Sequence, residues 1–271
     1  MPRSIFFLSD YGLDDTYVGI CHAVMARVAP EARVIDLTHG VPPQDVMAGA
    51  LALASSVPHG PPDAVYLAVV DPGVGTERRA LALRSGDASL VGPDNGLLWP
   101  ASLELGAIDV AVAIDHAAVS RGPVSRTFHG RDVFAPAAAM LARGSPPEDL
   151  GSRIDPTTVV VLDTPTPEVR QGELEASVLG VDRFGNVRLA ARREHLERAV
   201  LGGDLVLVRQ GATVPLRRVG TFADVRDGAF GLLEDSAGWL AVVRFGAGAA
   251  EELGLRRGDT LRLAARRDAV G

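Results

Sequence analysis

The first 150 residues alternate short apolar runs with stretches of helical periodicity. The run 64–70 (AVYLAVV) is apolar throughout, which is typical of a strand buried on both faces of a parallel sheet. Other short apolar runs predict strands, and apolar residues three and four positions apart predict helices. The predicted strands also include 4–9, 33–37, 80–84, 89–91 and 109–114, and the predicted helices are 15–28, 44–57 and about 132–143. This alternation predicts an α/β fold around a central, largely parallel sheet.

The starts of these helices have recognisable signals. Asp14 is a plausible N-cap for the first helix. Pro42 and Pro43 favour a second helix that opens at about Gln44. Pro136 interrupts the third helical pattern, so the pattern does not fix where that helix begins.

The pattern changes after residue 150. The segment 163–167 (DTPTP) is typical of an extended linker, because each proline biases the residue before it away from helix. Beyond it, Gly-containing turns separate short apolar runs, which predict strands at 173–181, 205–209, 230–234, 239–244 and 260–264, with one helix at 192–199. Closely spaced strands predict a small antiparallel barrel or sandwich. The sequence thus predicts an α/β domain over residues 1–165 and a smaller β domain over residues 166–271.

Charge and composition exclude several function classes. The chain has 271 residues, with 27 basic against 34 acidic side chains, and every basic residue is Arg. An acidic chain without basic clusters is a poor nucleic-acid binder, and a chain without Lys has neither a P-loop nor Schiff-base chemistry. The N-terminal apolar run is too short for a signal peptide, and no run approaches the ~20 apolar residues of a membrane span. A cytoplasmic protein without a nucleic-acid or membrane partner is expected.

The cysteine and histidine pattern predicts no metal centre. The single Cys21 excludes an intrachain disulfide, and its expected role is that of a small buried apolar residue. The sequence contains no HxxxH or HxH pair, so a histidine-based metal site is not expected. Ordinary surface or core positions are expected for five of the six histidines, namely His22, His39, His59, His116 and His195.

Polar residues follow several predicted strands. Asp10 ends the first strand, and Asp71 ends the run 64–70 and opens a Gly-rich turn that leads to Arg78 and Arg79. Open α/β sheets bind ligands beyond the carboxyl ends of their strands, and a carboxylate has two oxygens that accept hydrogen bonds from a ribose diol. The alternatives are a turn residue, a helix cap or a surface ion pair. His129 differs from the other histidines, because it precedes Gly-Arg-Asp at a loop-to-helix transition.

In the second half, Asp182 is followed by Phe184 and Asn186. A phenyl ring suits stacking on an aromatic base, and an amide suits hydrogen bonding to the edge of the base. A hairpin turn with Gly and Asn explains the same residues equally well. The segment Pro-Asp-Asn95-Gly is likewise a turn signal by itself.

Together and in this order, the motifs resemble those of the S-adenosyl-L-methionine (SAM) hydrolases that form adenosine. These enzymes are also called SAM hydroxide adenosyltransferases, and they belong to the superfamily of the fluorinating and chlorinating SAM enzymes. The matching segments are FLSDYGLDDTYVG, VIDLTHGV, VVDPGVGTERR, VGPDNGLL, TFHGRDVFAPAAA, VDRFGN and DSAGWLAVVRFGAGAAEELGLRRGD. They extend over nearly the whole chain.

The resemblance implies an N-terminal α/β domain, a C-terminal β-barrel and a homotrimer. It places SAM between the first domain of one subunit and the second domain of a neighbour, with SAM as substrate and no further cofactor or metal. It assigns Asp71, Arg78 and His129 to the attacking water, Asp10 to the ribose diol, and Phe184 and Asn186 to adenine. Asp182 and Ser236 match the methionine end, and the further implied substrate contacts are Tyr17, Asn95, Phe222 and Arg244.

The implied reaction is attack of water on the ribose C5′ of SAM, which gives adenosine and L-methionine. Positions that surround the halide in halogenating relatives carry Asp71, Val74 and Gly130 here, and an anionic Asp71 would repel a halide. A chlorinase-like halogenase and a non-catalytic SAM- or adenosine-binding protein are the alternatives. The departures from the family pattern fall in the second domain, at Arg188-Leu189, Ala237 and Phe245. Asp71 and His129 are both candidates for the proton acceptor.

Overall fold

The computed structural model describes residues 2–120, 122–209, 211–226 and 228–266. The chain divides into two compact units, Met1–Leu162 and Asp163–Gly271. In the described part of the chain, no helix is long and apolar enough to cross a membrane.

The first unit contains one seven-stranded sheet with the strand order β2-β1-β3-β5-β4-β6-β7. Its strands are β1 (Ile5–Ser9), β2 (Val34–Thr38), β3 (Val65–Val69), β4 (Ala80–Ser85), β5 (Ala88–Pro93), β6 (Val110–Ile114) and β7 (Gly151–Ile154). Parallel pairings join β2, β1, β3 and β5. Antiparallel pairings add β4, β6 and β7 at the other edge. The predicted α/β fold is confirmed, and its parallel half carries the strand ends with the polar motifs.

Helices cover both faces of this sheet. They are α1 (Tyr17–Val28), α2 (Val46–Ser56), α3 (Trp99–Glu104), α4 (His116–Val119) and α5 (Ala135–Ala142), with a π-helical turn at Gly130–Phe134 and 3₁₀ turns at Val57–His59, Pro147–Leu150 and Pro156–Thr158. Alternate residues of β3 explain the layers. Val65, Leu67 and Val69 belong to the core with α1 and α5, whereas Tyr66 and Ala68 belong to the core with α2 and α3. Both faces of β3 are therefore buried, as its continuous apolar run predicts.

The helix starts differ from the predicted ones. The residue before α1 is Thr16 and not Asp14, and Thr16 makes no side-chain cap hydrogen bond. The second helix begins at Val46, where Asp45 accepts a hydrogen bond of 2.7 Å from the backbone N–H of Ala48. Pro136 lies in the first turn of α5, directly after the π-helical turn, in which the N–H of Ala135 donates to the carbonyl oxygen of Gly130.

The second unit is a β-barrel. Its strands are β8 (Glu168–Arg170), β9 (Glu173–Val181), β10 (Val187–Leu189), β11 (Asp204–Arg209), β12 (Ala212–Arg218), β13 (Phe230–Glu234), β14 (Leu240–Arg244) and β15 (Thr260–Ala265), and its helices are α6 (Arg193–Arg198) and α7 (Ala249–Leu253). Strands β10, β14, β13, β12, β11, β15 and β9 form a ring that closes through the β9–β10 pairing. This decides for the barrel over the sandwich. One pairing departs from the predicted antiparallel pattern, because β12 and β13 are parallel.

The barrel has its own apolar core, which includes Leu174, Val187, Leu207 and Leu263. Strands β8, β10 and β12 are absent from the sequence prediction, because two of them are only three residues long and the third contains Pro215. Residues 163–167 adopt neither helix nor strand, which agrees with the predicted linker.

Candidate active site

Arg78 joins two of the predicted site residues. Its Nε donates a hydrogen bond of 2.9 Å to Asp71 Oδ1, and its Nη2 donates to Asp71 Oδ2. The same Nη2 lies 2.8 Å from Nδ1 of His129. The side chains of Asp71 and Arg78 are 6% and 9% exposed, and His129 is also buried. Asp71, Arg78 and His129, which the sequence places up to 58 residues apart, thus form one buried cluster.

The contact with Arg78 fixes the tautomer of His129. A guanidinium is only a hydrogen-bond donor, so Nδ1 of His129 carries the lone pair and Nε2 carries the proton. Burial lowers the pKa of His129 below its ordinary value, and the nearby Arg78 and His116 lower it further. The ring of His116 packs edge-on against His129, with 5.0 Å between the ring centroids. The cluster therefore favours a neutral imidazole.

Two glycines allow the loops of this cluster to approach each other. Gly75 has a φ of +77°, and a Cβ at this position would lie 2.3 Å from the carbonyl oxygen of Arg126. A Cβ on Gly130 would lie 2.1 Å from the hydroxyl oxygen of Tyr11. At Gly75 the turn after β3 thus packs against the backbone of the segment that leads to His129, and at Gly130 the same segment packs against Tyr11.

Asp10 lies beyond the carboxyl end of β1, next to the strand end that carries Asp71, because β1 and β3 are parallel neighbours. Its Oδ2 accepts a hydrogen bond of 2.8 Å from the backbone N–H of Gln44. Gln44 has a φ of +63°, so an uncommon backbone conformation accompanies this contact. The half-buried carboxylate keeps lone pairs for another donor.

Asn95 has a clear structural role at the end of β3. Its Nδ2 donates a hydrogen bond of 2.9 Å to the carbonyl oxygen of Val70, and its Oδ1 accepts one of 3.1 Å from the N–H of Leu97. These bonds hold the backbone immediately before Asp71. Direct contact of Asn95 with a substrate stays a prediction.

Three aromatic rings lie together near these strand ends. Tyr17 is 45% exposed, and its ring centroid lies 5.7 Å from Tyr11 and 5.1 Å from Phe128. The family resemblance assigns a role to Tyr17 alone among these three rings, although Tyr11 and Phe128 are next to Asp10 and His129 in the sequence. Burial is the main reason why the pKa of Tyr11 is raised well above its ordinary value, and the Cys21, Asp10 and Asp71 groups raise it further. The Tyr11 hydroxyl therefore stays neutral at ordinary pH.

The other predicted residues lie in the second unit. Asp182 organises the loop between β9 and β10, because its Oδ1 accepts from the N–H groups of Phe184 and Asn186 at 2.8 and 2.9 Å. Its Oδ2 accepts 2.8 Å from Nδ2 of Asn186. The loop presents Phe184 with 74% of its surface exposed. The antiparallel pairing of β9 and β10 confirms the hairpin interpretation, and contact of Phe184 and Asn186 with a base stays a prediction.

Phe222, Ser236 and Arg244 lie at other loops of the barrel. Phe222 is 52% exposed in a 3₁₀ turn, and Ser236 is exposed between β13 and β14. Arg244 ends β14 and forms an ion pair with Glu252. At the departures from the family pattern, Arg188 pairs with Asp235 at 2.6 Å, and Phe245 is 49% exposed.

Comparison with known families gives two matches in chain order. The model of the SAM hydroxide adenosyltransferase N-terminal domain matches residues 5–151, and that of the C-terminal domain matches residues 176–262. The chain belongs to the SAM hydroxide adenosyltransferase family.

Individual relatives agree with this membership. An (R)-S-adenosyl-L-methionine hydrolase from Salinispora tropica is 50% identical over 261 residues, which cover 96% of this chain and 97% of the relative. A fluorinase from an Actinoplanes species is 29% identical, with 95% and 96% covered. A solved structure of an uncharacterised conserved protein from Thermotoga maritima has a TM-score of 0.88 at 34% identity and covers 97% of this chain and 100% of that one. The fold is thus shared over the whole length.

Within this SAM hydroxide adenosyltransferase chain, the predicted site residues divide between the two units. Asp10, Tyr17, Asp71, Arg78, Asn95 and His129 lie in the first unit, and Asp182, Phe184, Asn186, Phe222, Ser236 and Arg244 lie in the second. The Asp–Arg–His cluster is complete within the first unit.

Proposed function

We propose that this chain hydrolyses SAM to adenosine and L-methionine by attack of water on the ribose C5′. The buried Asp71–Arg78–His129 cluster is the observation that carries the proposal. The chain also belongs to a family with relatives that are named SAM hydrolases. A carboxylate paired with a guanidinium beside a neutral imidazole suits the orientation and deprotonation of a water molecule.

The chemistry of the substrate explains why so few groups are needed. The sulfonium leaves as a neutral thioether, so departure requires no general acid, no metal and no cofactor. The C5′–O bond forms while the C5′–S bond breaks, and one proton leaves the water. The enzyme has to position that water in line with the C5′–S bond.

Asp71 is the better proton acceptor of the two candidates. The lone pair of His129 Nδ1 already faces Arg78, so the free ring atom is Nε2–H, which is a donor. Each oxygen of Asp71 accepts from Arg78 and keeps another lone pair. We therefore assign proton acceptance to Asp71, orientation of the water to His129, and charge balance to Arg78, which is a permanent cation and no base.

The remaining contacts follow from the family. Asp10 binds the ribose diol beside Tyr17 and Asn95, Phe184 and Asn186 bind adenine, and Asp182 and Ser236 bind the methionine end, with Phe222 and Arg244 as further pocket residues. In the proposed homotrimer, the first unit of one copy and the second unit of a neighbour share each substrate. We also propose that the protein acts in the cytoplasm.

The name of the Salinispora relative adds a stereochemical expectation. Because "L" fixes the methionine centre and adenosine fixes the ribose centres, the prefix R describes the sulfonium sulfur. We expect this chain to act on the R epimer as well, and separate incubation with each sulfonium epimer tests that preference.

The decisive experiment is product analysis after incubation with SAM in ¹⁸O-labelled water. Expected products are methionine without label and adenosine that carries ¹⁸O at the 5′ position. Parallel incubations contain chloride or fluoride. A 5′-halogenated adenosine as the main product would establish the halogenase, and SAM binding by calorimetry without product would establish a binding protein. Either result would overturn the hydrolase.

A further inference from the structure

Three polar side chains from separate elements meet outside the proposed active site. His22 lies on α1, Asp36 on β2, and His39 directly after β2. Asp36 Oδ1 lies 2.8 Å from His22 Nε2 and 3.1 Å from His39 Nε2. One ligand atom of each residue lies within 4.8 Å of the other two. Two imidazoles and one carboxylate are a ligand set that suits zinc and related divalent ions.

The buried member of this cluster makes it more than a surface ion pair. The side chain of His39 is only 2% exposed. Within the described residues, its Nε2 has no hydrogen-bond partner, because the contact with Asp36 has the distance of a hydrogen bond but not its direction. An imidazole nitrogen buried in this way costs free energy, and a metal ion would satisfy it.

The second nitrogen of His39 is held as metal-binding histidines usually are. Nδ1 lies 2.8 Å from the Ser9 hydroxyl, whose oxygen accepts a hydrogen bond from Nδ1–H when Nε2 binds a metal. The ring of Phe7 packs edge-on against His39, with 4.7 Å between centroids. Both contacts hold the His39 ring in one orientation, with Nε2 on the side of Asp36.

Two of the three ligand-atom separations are close to those of a tetrahedral site. Zn²⁺ with tetrahedral bonds of about 2.0–2.1 Å holds its ligand atoms about 3.3–3.4 Å apart. The two measured separations from Asp36 Oδ1, 2.8 and 3.1 Å, need to grow by only a few tenths of an ångström. Because the side chains of His22 and Asp36 are 34% and 43% exposed, an ion can enter and water can complete its shell.

We propose that His22, Asp36 and His39 form a binding site for one divalent transition-metal ion of the zinc class. This proposal departs from the sequence expectation of no metal centre, which stays untested, and the site takes no part in the proposed hydrolysis. The site is joined to the loop that carries Asp10, because the carbonyl oxygen of His39 accepts a hydrogen bond of 2.8 Å from the N–H of Gly12. The Ser9 hydroxyl oxygen also accepts a hydrogen bond of 3.3 Å from the N–H of Tyr11.

The test is calorimetric titration of the tag-free, chelator-treated full chain with Zn²⁺, and with Co²⁺ followed by visible absorption. We expect one ion per chain and a cobalt spectrum typical of nitrogen and oxygen ligands. His22→Gln keeps a hydrogen-bonding group for Asp36 but removes an imidazole. It should weaken Zn²⁺ binding by about tenfold or more, since loss of even an outer-shell partner typically has that effect.

The matched control is His59→Gln, because His59 is exposed in a 3₁₀ turn outside the cluster. It should bind Zn²⁺ like the wild type, and Zn²⁺ should raise the melting temperature of the wild type and of His59→Gln but not of His22→Gln. The proposal fails if the wild type binds no Zn²⁺ at one per chain, or if His22→Gln binds it equally well. Equal affinity for Mg²⁺ would also overturn it, because Mg²⁺ prefers oxygen ligands. None of these measurements depends on SAM.

Discussion

A single guanidinium connects the two groups that compete for the role of proton acceptor. Arg78 donates to both oxygens of Asp71 and to Nδ1 of His129. A motif predicts that such residues cooperate, but only geometry shows which lone pairs are already engaged. The residue types were predictable from the sequence, and the division of labour between Asp71 and His129 was not.

Asp71→Asn tests this division directly. The amide is close in shape to the carboxylate but accepts no proton, so kcat should fall by about 10²–10⁴-fold, while the affinity for SAM, measured by calorimetry, changes little. Asp87→Asn, at an exposed turn between β4 and β5, is the matched control and should retain the wild-type rate. A normal rate for a folded Asp71→Asn protein would remove Asp71 from the mechanism.

The lowered pKa of His129 leads to a prediction with a definite sign. Burial is its main cause, followed by Arg78 and His116. Below about pH 6.5, the ordinary value, the unfolded chain takes up a proton before the folded chain does. The contribution of His129 to the free energy of unfolding should therefore be fully present above that pH. It should be lost as the pH falls through the pKa of the folded state.

Denaturant unfolding of the wild type and of His129→Gln from pH 8 to pH 5 measures this contribution. The wild type should lose more stability on acidification than the variant, which has no imidazole at this position. Histidine ring NMR of the wild type provides a second readout, in which the His129 imidazole should titrate below the ordinary pKa of about 6.5. Parallel stability profiles would contradict the assignment.

At the scale of elements, the strand ends were predictable and the helix starts were not. A continuous apolar run followed by Asp71 indicates where β3 stops, because burial and charge change within one residue. The start of α1 has Asp14, Asp15 and Thr16 as competing caps, and local preference does not choose among them. The His22–Asp36–His39 cluster is formed by strand pairing and helix packing, which no local spacing reveals.

Gly75 connects two elements of the site and gives a measurable prediction. Gly75→Ala should lower the free energy of unfolding for two reasons. An alanine at a positive φ costs about 1–2 kcal/mol, and overlap of its Cβ with the Arg126 carbonyl costs about 1–3 kcal/mol more. Gly86→Ala is the matched control, since Gly86 has a φ of +57° but its nearest neighbour would lie 3.8 Å from the Cβ. Chemical denaturation should therefore give a clearly larger loss for Gly75→Ala. Equal losses would show that the close approach of the two loops has no energetic weight.

At the scale of the whole molecule, two units with separate cores carry different parts of one proposed pocket. The first unit has its apolar cores on the two faces of its sheet, and the second has a core inside its barrel. The sequence predicted both architectures from apolar periodicity and from the resemblance. It did not predict the parallel pairing of β12 and β13, because this pairing joins strands that no tight hairpin connects.

The proposed sharing of each substrate between neighbouring copies predicts complementation between two inactive variants. Asp71→Asn disables the first unit, and Phe184→Asp places a charge at an exposed position of the second. In mixed trimers assembled at random, a site is intact only where the first unit of a Phe184→Asp copy meets the second unit of an Asp71→Asn copy. Co-expression in equal amounts should therefore restore about one quarter of the wild-type activity.

The control for this complementation is co-expression of Asp71→Asn with His129→Gln. Both changes lie in the first unit, so every site contains a defective first unit and no activity should return. Each variant expressed alone sets the background, and light scattering establishes whether the mixed complexes are trimers. If the Asp71→Asn and Phe184→Asp mixture stays at background in verified trimers, each site is built within one chain, and the sharing between neighbours is wrong while hydrolysis itself stands.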